Sequence, residues 1–276
     1  MIKSTFHSHS RFDDGYGELE AYIKSALVKG FRSFGFSAHA PVIFESDWNM
    51  KPEYFEEYIQ VTEFLKKKYE GSIEIYTGLE ADYYPGCTDW RVKNGIDYTI
   101  GAIHFIRNDE TGVYMPLDGN REEFEETLKN GFDNDVQALV EAYYSQIREM
   151  LLKMPPNIIA HLDVIKKNNN GKYFNEDADY YRDEVLKTLD IISLSETIVE
   201  INTGGIARGY LNEPYPSKWI LEACLDMNIP VMVNSDSHHP DNIDFYYEES
   251  YDLLRTIGFT SQRILLGNEW RDVSLY

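Results

Sequence analysis

The sequence is poor in cysteine and in basic residues, and it has no long apolar run. Cys87 and Cys224 are its only two cysteines. They are too few for a disulfide scaffold and fit a reducing cytosol. Lysine and arginine together number 26 against 47 aspartates and glutamates, for a net charge of −21. Nucleic acid and anionic membrane both call for a basic surface, so neither is expected as a partner. No segment stays apolar over the roughly 20 residues that a spanning helix needs. The opening residues from Met1 to His7 run into polar and charged side chains, not a signal-peptide core. A cytoplasmic location is therefore expected. No Gly/Ser linker, low-complexity tract or internal repeat divides the chain, and residues 1–276 read as a single domain.

What the chain does have is ordinary globular composition with 21 Tyr, 14 Phe and 4 Trp to fill a core. Short apolar runs alternate with longer amphipathic segments. The runs Ile2–Phe6, Ser33–Ser37, Ile73–Thr77, Tyr98–Ala102, Ile158–Ala160, Ile198–Ile201 and Val231–Asn234 read as buried strands. Leu19–Lys29, Pro52–Tyr69, Val136–Leu152, Asp179–Leu194, Lys218–Asp226 and Glu248–Ile257 carry helical spacing. Gly30 and Gly258 sit where left-handed C-caps are expected, and Ser217 is a candidate N-cap. Phe105–Asn120 is the longest irregular stretch, either a loop over a site or a surface insertion. The alternation points to an α/β protein with a parallel sheet, open or closed into a barrel.

All seven histidines lie at the end of, or just after, a predicted strand: His7, His9, His39, His104, His161, His238 and His239. In parallel α/β folds ligand sites form beyond the carboxyl ends of the strands. Glu80 and Asp236 follow the same rule, and Asp14 lies in the first loop. Ligands drawn from the first strand to the last can converge on a barrel rim, whereas an open sheet would hold its edges apart; this favours the barrel. His7 and His9 are two apart, so in an extended strand both rings face one way and can grip one cation. The nitrogens and carboxylates together exceed what one tetrahedral ion can take. They suggest two or three divalent metals with a bridging carboxylate.

These motifs resemble the PHP superfamily, named for polymerase and histidinol phosphatase: His7-Ser8-His9 with Asp14-Gly15, Ser37-Ala38-His39-Ala40-Pro41, Gly78-Leu79-Glu80-Ala81-Asp82-Tyr83, Gly101-Ala102-Ile103-His104-Phe105, Ala160-His161-Leu162-Asp163 and Ser235-Asp236-Ser237-His238. Within it the chain is most similar to the L-histidinol-phosphate phosphatases, through the continuation Tyr84-Pro85-Gly86, His161 to Lys167, Glu200-Ile201-Asn202-Thr203-Gly204-Gly205 and Glu213-Pro214-Tyr215-Pro216-Ser217. It departs from them in a longer, polar turn over Ile106–Pro116.

The resemblance implies a distorted (β/α)7 barrel and a trinuclear site holding Zn, Fe or Mn. It also implies hydrolysis of L-histidinol phosphate to L-histidinol and phosphate, in histidine biosynthesis, by metal-activated hydroxide. The implied metal ligands are His7, His9, Glu80 and Asp236 for one ion, Asp14, His39 and His238 for a second, and Glu80, His104 and His161 for a third, so that Glu80 bridges. Asp236, His238 and His239 form the expected catalytic group, and Asp163 orients a ligand or caps a turn. Arg208 is the expected phosphate clamp, with Ser217 at a helix start and Arg11 as further phosphate contacts. Asp118 and its loop are candidates for recognising the histidinol part, while Lys166 and Lys167 read as a solvated pair. The alternatives are a phosphotyrosyl-protein phosphatase of the same superfamily and a non-catalytic metal-binding module.

Overall fold

The computed structural model describes residues 2–108 and 110–276. Seven parallel strands form one sheet: β1 (Lys3–Thr5), β2 (Phe31–Phe36), β3 (Glu74–Asp82), β4 (Tyr98–Ala102), β7 (Ile158–Ile159), β8 (Ile198–Asn202) and β9 (Val231–Asn234), in that order around the sheet. The last strand returns to the first. Asn234 Oδ1 accepts from the Phe6 backbone N–H at 2.8 Å, His9 N donates to Ser237 O at 2.9 Å, and Ser8 bridges Ser237. Among the described residues the seam carries these contacts and one isolated bridge in place of a full ladder, so the barrel is distorted.

Helices α1 (Leu19–Val28), α2 (Phe55–Lys68), α4 (Val136–Lys153), α5 (Asp179–Ser193), α7 (Lys218–Asp226) and α8 (Tyr247–Ile257) lie in the predicted segments. Gly30 and Gly258 both carry positive φ after their helices, as expected of C-caps. Among the described residues no helix is long and apolar enough to cross a membrane.

Tyr98 fills the barrel interior among Phe6, Tyr76, Ile100, Ile158, Ile198 and Met232. Its hydroxyl lies 2.5 Å from Phe6 O and 2.9 Å from Phe36 O, tying β4 to the ends of β1 and β2. Glycine on two neighbouring strands makes the room: a Cβ at Gly35 or Gly78 would come within 2.3 Å of the Tyr98 side chain. A carboxy-terminal hairpin, β10 (Ser261–Leu266) with β11 (Glu269–Ser274), joins this core through Ile264, Leu265 and Trp270.

The structure corrects the sequence reading at several elements. Phe105–Asn120 is not irregular throughout: β5 (Phe105–Arg107) and β6 (Tyr114–Pro116) pair as an antiparallel hairpin. Phe44 stacks on Tyr114 at 4.3 Å and Trp48 on Phe105 at 4.8 Å, so aromatic contacts fasten the hairpin to the loop after β2. β3 runs on to Asp82, placing Glu80 inside a strand. α3 (Arg121–Phe132) begins with a capping box between Asn120 and Glu123. A short helix, α6 (Gly204–Ala207), follows β8 directly.

Candidate metal centre

The seven strands deliver their polar residues to one end of the barrel. His7 and His9 leave β1 with both rings fully buried. His7 Nε2 lies 3.1 Å from Glu80 Oε2, and His9 Nε2 lies 3.1 Å from Asp236 Oδ1. Glu80 is the hub. Its Oε2 also lies 3.1 Å from His39 Nδ1, while its Oε1 lies 3.0 Å from His161 Nε2 and 3.4 Å from His104 Nε2. Asp14 Oδ1 lies 3.2 Å from His238 Nε2 and 3.9 Å from His39 Nε2. Ligand atoms fall into groups small enough for single ions: His7, His9 and Asp236; His9, Asp14, His39 and His238; and Glu80, His104 and His161. The third is the set the resemblance implies; the first lacks Glu80, and the second adds His9, which is thereby common to two groups. A further group, His39, Asp82 and His104, was not anticipated.

The buried atoms that face the centre lack ordinary partners. Nε2 of His7 and of His9, Nδ1 of His39 and Oε2 of Glu80 are buried and make no hydrogen bond among the described residues. Leaving such groups unpaired costs about 1–3 kcal/mol each. Divalent cations accept this mixed nitrogen and oxygen donor set. The residues present therefore fit a metal centre.

Three carboxylates that the sequence reading did not assign support the histidines from behind. Glu200 accepts from His7 Nδ1 at 2.9 Å, Asp13 from His9 Nδ1 at 2.6 Å, and Asp82 Oδ1 lies 3.0 Å from His104 Nδ1. A carboxylate on one ring nitrogen fixes the tautomer and turns the other nitrogen toward the metal. Glu200 also accepts from the His161 backbone N–H and from the side chains of Asn202 and Asn234. A signal existed for two of the three. Glu80 with Asp82, and Glu200 with Asn202, are spaced by two in a strand and share a face.

Charge explains the protonation of this arrangement. Burial pushes the His9 imidazole down, but Asp13 and Asp236 outweigh it and raise its pKa to about 10. Burial likewise opposes charge on Glu80, yet His7, His39 and His104 hold its carboxyl well below the usual range. Metal binding at such a site displaces protons from the imidazoles. Asp236 also sits at φ 46°, left-handed backbone that costs a non-glycine residue on the order of 1 kcal/mol and is tolerated at functional sites.

A cavity of about 510 Å³ opens above the centre, lined by Asp14, His39, Glu80, His104, His161, Asp236 and His238 on the floor. Arg208 lies on its wall, donating to Asp236 Oδ2 at 2.9 Å, with Nη1 2.8 Å from His238 Nδ1. Asp118 lines the cavity as well, as do Asp47 and Trp48, which the sequence reading passed over.

Other expected contacts lie elsewhere. Arg11 is paired with Glu18 and Glu57, each at 2.6 Å, and is not among the cavity residues. His239 stacks on Tyr16 at 5.0 Å and accepts from the Asp241 backbone N–H, outside the cavity. Ser217 does stand at the N-cap of α7, but its hydroxyl makes no capping bond. It meets Asp163, Glu176 and the Lys166 ammonium instead. Asp163 accordingly orients Ser217, not a metal ligand. Lys166 and Lys167 are not a solvated pair: Lys166 is buried against Asp163 at 2.9 Å, and Lys167 lines the cavity beside Asp118.

Comparison with known proteins places these features in context. The sequence profile of the PHP domain matches residues 5–204. The chain is 28% identical over 267 residues to a histidinol-phosphatase of Bacillus subtilis, covering 90% of this chain and 98% of that protein. It is 24% identical over 276 residues to a probable histidinol-phosphatase of Schizosaccharomyces pombe, covering 94% and 88%. The fold is shared with a Lactococcus lactis histidinol phosphate phosphatase solved with Zn, L-histidinol and phosphate, at a TM-score of 0.66, 19% identity and 98% coverage of each chain. A Listeria monocytogenes structure assigned to the same activity superposes with a TM-score of 0.77 at 21% identity, covering 90% of this chain and 99% of that one.

Proposed function

The chain belongs to the PHP domain family, and from that premise we propose that it is a metal-dependent phosphomonoesterase acting on L-histidinol phosphate. The observation that carries the reading is the convergence of unpaired, buried ring nitrogens and Glu80 Oε2 on the floor of a cavity that Arg208 overlooks. The named relatives supply the substrate.

His7, His9, Glu80, Asp236, Asp14, His39, His238, His104 and His161 would hold two to three divalent ions such as Zn, Fe or Mn. Bound there, such ions supply Lewis-acid polarisation of phosphoryl oxygens and a lowered pKa for water. The chain's own residues do the rest. Glu200, Asp13 and Asp82 fix the imidazoles. Arg208 presents a planar fork of donors suited to two phosphate oxygens. It donates to Asp236 Oδ2, which sets its orientation beside the His238 ring.

The loops carrying Arg208 and Trp48 follow β8 and β2, three steps apart across the seam of the seven-strand ring and so on opposite sides of the mouth. A phosphomonoester with its phosphate toward Arg208 directs its organic part toward Trp48, Asp47 and Asp118. Phe105 covers one face of the Trp48 indole at 4.8 Å, and Trp48, but not Phe105, lines the cavity. An aromatic ring with a cationic amine, as in histidinol phosphate, matches an indole face flanked by carboxylates.

The test is phosphate release from L-histidinol phosphate and from a phosphotyrosine peptide, with metal-loaded and chelated protein. Metal-dependent release favouring histidinol phosphate is expected. Preference for the peptide, or release unaffected by chelation, would overturn the reading.

A further inference from the structure

Tyr215 is a buried polar residue of the cavity wall with no evident structural use for its hydroxyl. It is 1% exposed, it lines the cavity, and its Oη has no hydrogen-bond partner among the described residues. Buried hydroxyls are nearly always paired, and one left alone costs about 1–3 kcal/mol. Its position is nevertheless tightly held. Tyr215 and Asn202 exchange backbone hydrogen bonds of 2.7 and 3.0 Å, coupling it to the end of β8. Asn202 Nδ2 in turn donates to Glu200 and Asp236. The ring packs over Gly205, where a Cβ would come within 2.7 Å of it, and stands edge-on to His161 with centroids 6.1 Å apart. The fold thus carries a phenol to the metal-site wall, fixes it, and leaves its hydroxyl unspent.

Resting on the phosphomonoesterase reading, we propose that Tyr215 Oη is a hydrogen-bond donor to the substrate's phosphoryl group, acting with Arg208 on the same wall. A phenol is a suitable donor here because its ordinary pKa of about 10 keeps the hydroxyl protonated near neutral pH. It adds a donor without adding a charge beside Lys166, whose ammonium already lies 5.6 Å from the ring.

Tyr215→Phe removes the hydroxyl alone and keeps the ring against Gly205. The experiment measures binding of inorganic phosphate to the metal-loaded variant by calorimetry, together with metal content, thermal stability, and kcat/KM on L-histidinol phosphate and p-nitrophenyl phosphate. Phosphate binding weakened roughly ten- to hundredfold is expected, the range for a lost hydrogen bond to a charged group. The loss in kcat/KM should be similar on both esters, with metal content unchanged and Tm equal or higher. Unchanged phosphate binding would overturn the proposal, as would loss of metal, which would make Tyr215 a support of the centre. Failure of the wild type to hydrolyse either ester would sink the phosphomonoesterase reading separately, since phosphate binding reports on Tyr215 without turnover.

Discussion

Glu200 of β8 accepts a hydrogen bond from His7 Nδ1 at 2.9 Å, joining residues 193 positions apart in sequence. Neither side chain has any exposed surface. The contact turns His7 Nε2 toward Glu80 and ties opposite parts of the chain at the barrel's end. Glu200→Gln keeps the size and removes the charge. Its expected effect is metal affinity lowered about 10–100-fold, the usual cost of losing a carboxylate behind a ligand histidine. Competition titration against a chromophoric chelator checks this; unchanged affinity would make Glu200 a purely structural residue.

Glu80 faces five imidazoles, and Asp14 faces the outer group with a third of its side chain exposed. Glu80→Ala is therefore expected to deplete bound metal more than Asp14→Ala, as measured by elemental analysis of both variants purified alike. Full occupancy in the Glu80 variant would contradict the bridging role expected of it.

Arg208→Ala is expected to lower kcat/KM for every phosphomonoester alike, by roughly 10–150-fold for a lost charge-assisted hydrogen bond. Metal content should persist, because bound cations would answer the Asp236 charge that Arg208 now meets. Steady-state kinetics on two unrelated esters decide the point, and a loss confined to one ester would move Arg208 from phosphate binding to selectivity.

Trp48→Ala is expected to reduce the preference for L-histidinol phosphate over a neutral alkyl phosphate about tenfold, through KM, while activity on the alkyl ester is kept. The ratio of kcat/KM values on the two esters is the measurement. An unchanged ratio would place recognition of the organic part elsewhere, with Asp118 next in line.

Tyr98→Phe tests the barrel itself. Its hydroxyl lies within bonding distance of the Phe6 and Phe36 carbonyl oxygens, so removal is expected to lower stability by about 1–3 kcal/mol. Urea unfolding of the variant and the parent, both metal-free, measures it.

The convergence of these side chains at one end of the barrel was legible because it is tied to chain position. Histidines at strand ends need no side-chain geometry to be seen converging, and His7-Ser8-His9 states its own register. The supporting carboxylates were harder. Asp13 stands beside Asp14 in an acidic chain, and only the folded loop shows that Asp13 turns to His9 while Asp14 turns to His238. Strand limits followed apolar runs well at Tyr98–Ala102 and Val231–Asn234, and poorly at β3, where Glu80 and Asp82 break the run yet stay in the ladder, their backbones paired with Ile100 and Ala102. The hairpin β5–β6 is held by Phe44, Trp48 and Tyr84, contacts distant in sequence that no local pattern reveals. The Asn120 and Glu123 capping box, by contrast, was present in the sequence as a helix-start signal. Arg11 and His239 lie next to metal motifs in sequence, but turns in the first and last loops carry both side chains away from the cavity.

The most direct test of the account is the metal content of freshly purified, unchelated and active protein, measured by elemental analysis on the same preparation that is assayed with L-histidinol phosphate. The ligand groups around Glu80 lead to an expectation of roughly two to three divalent ions per chain. Full activity with at most one ion per chain would contradict it.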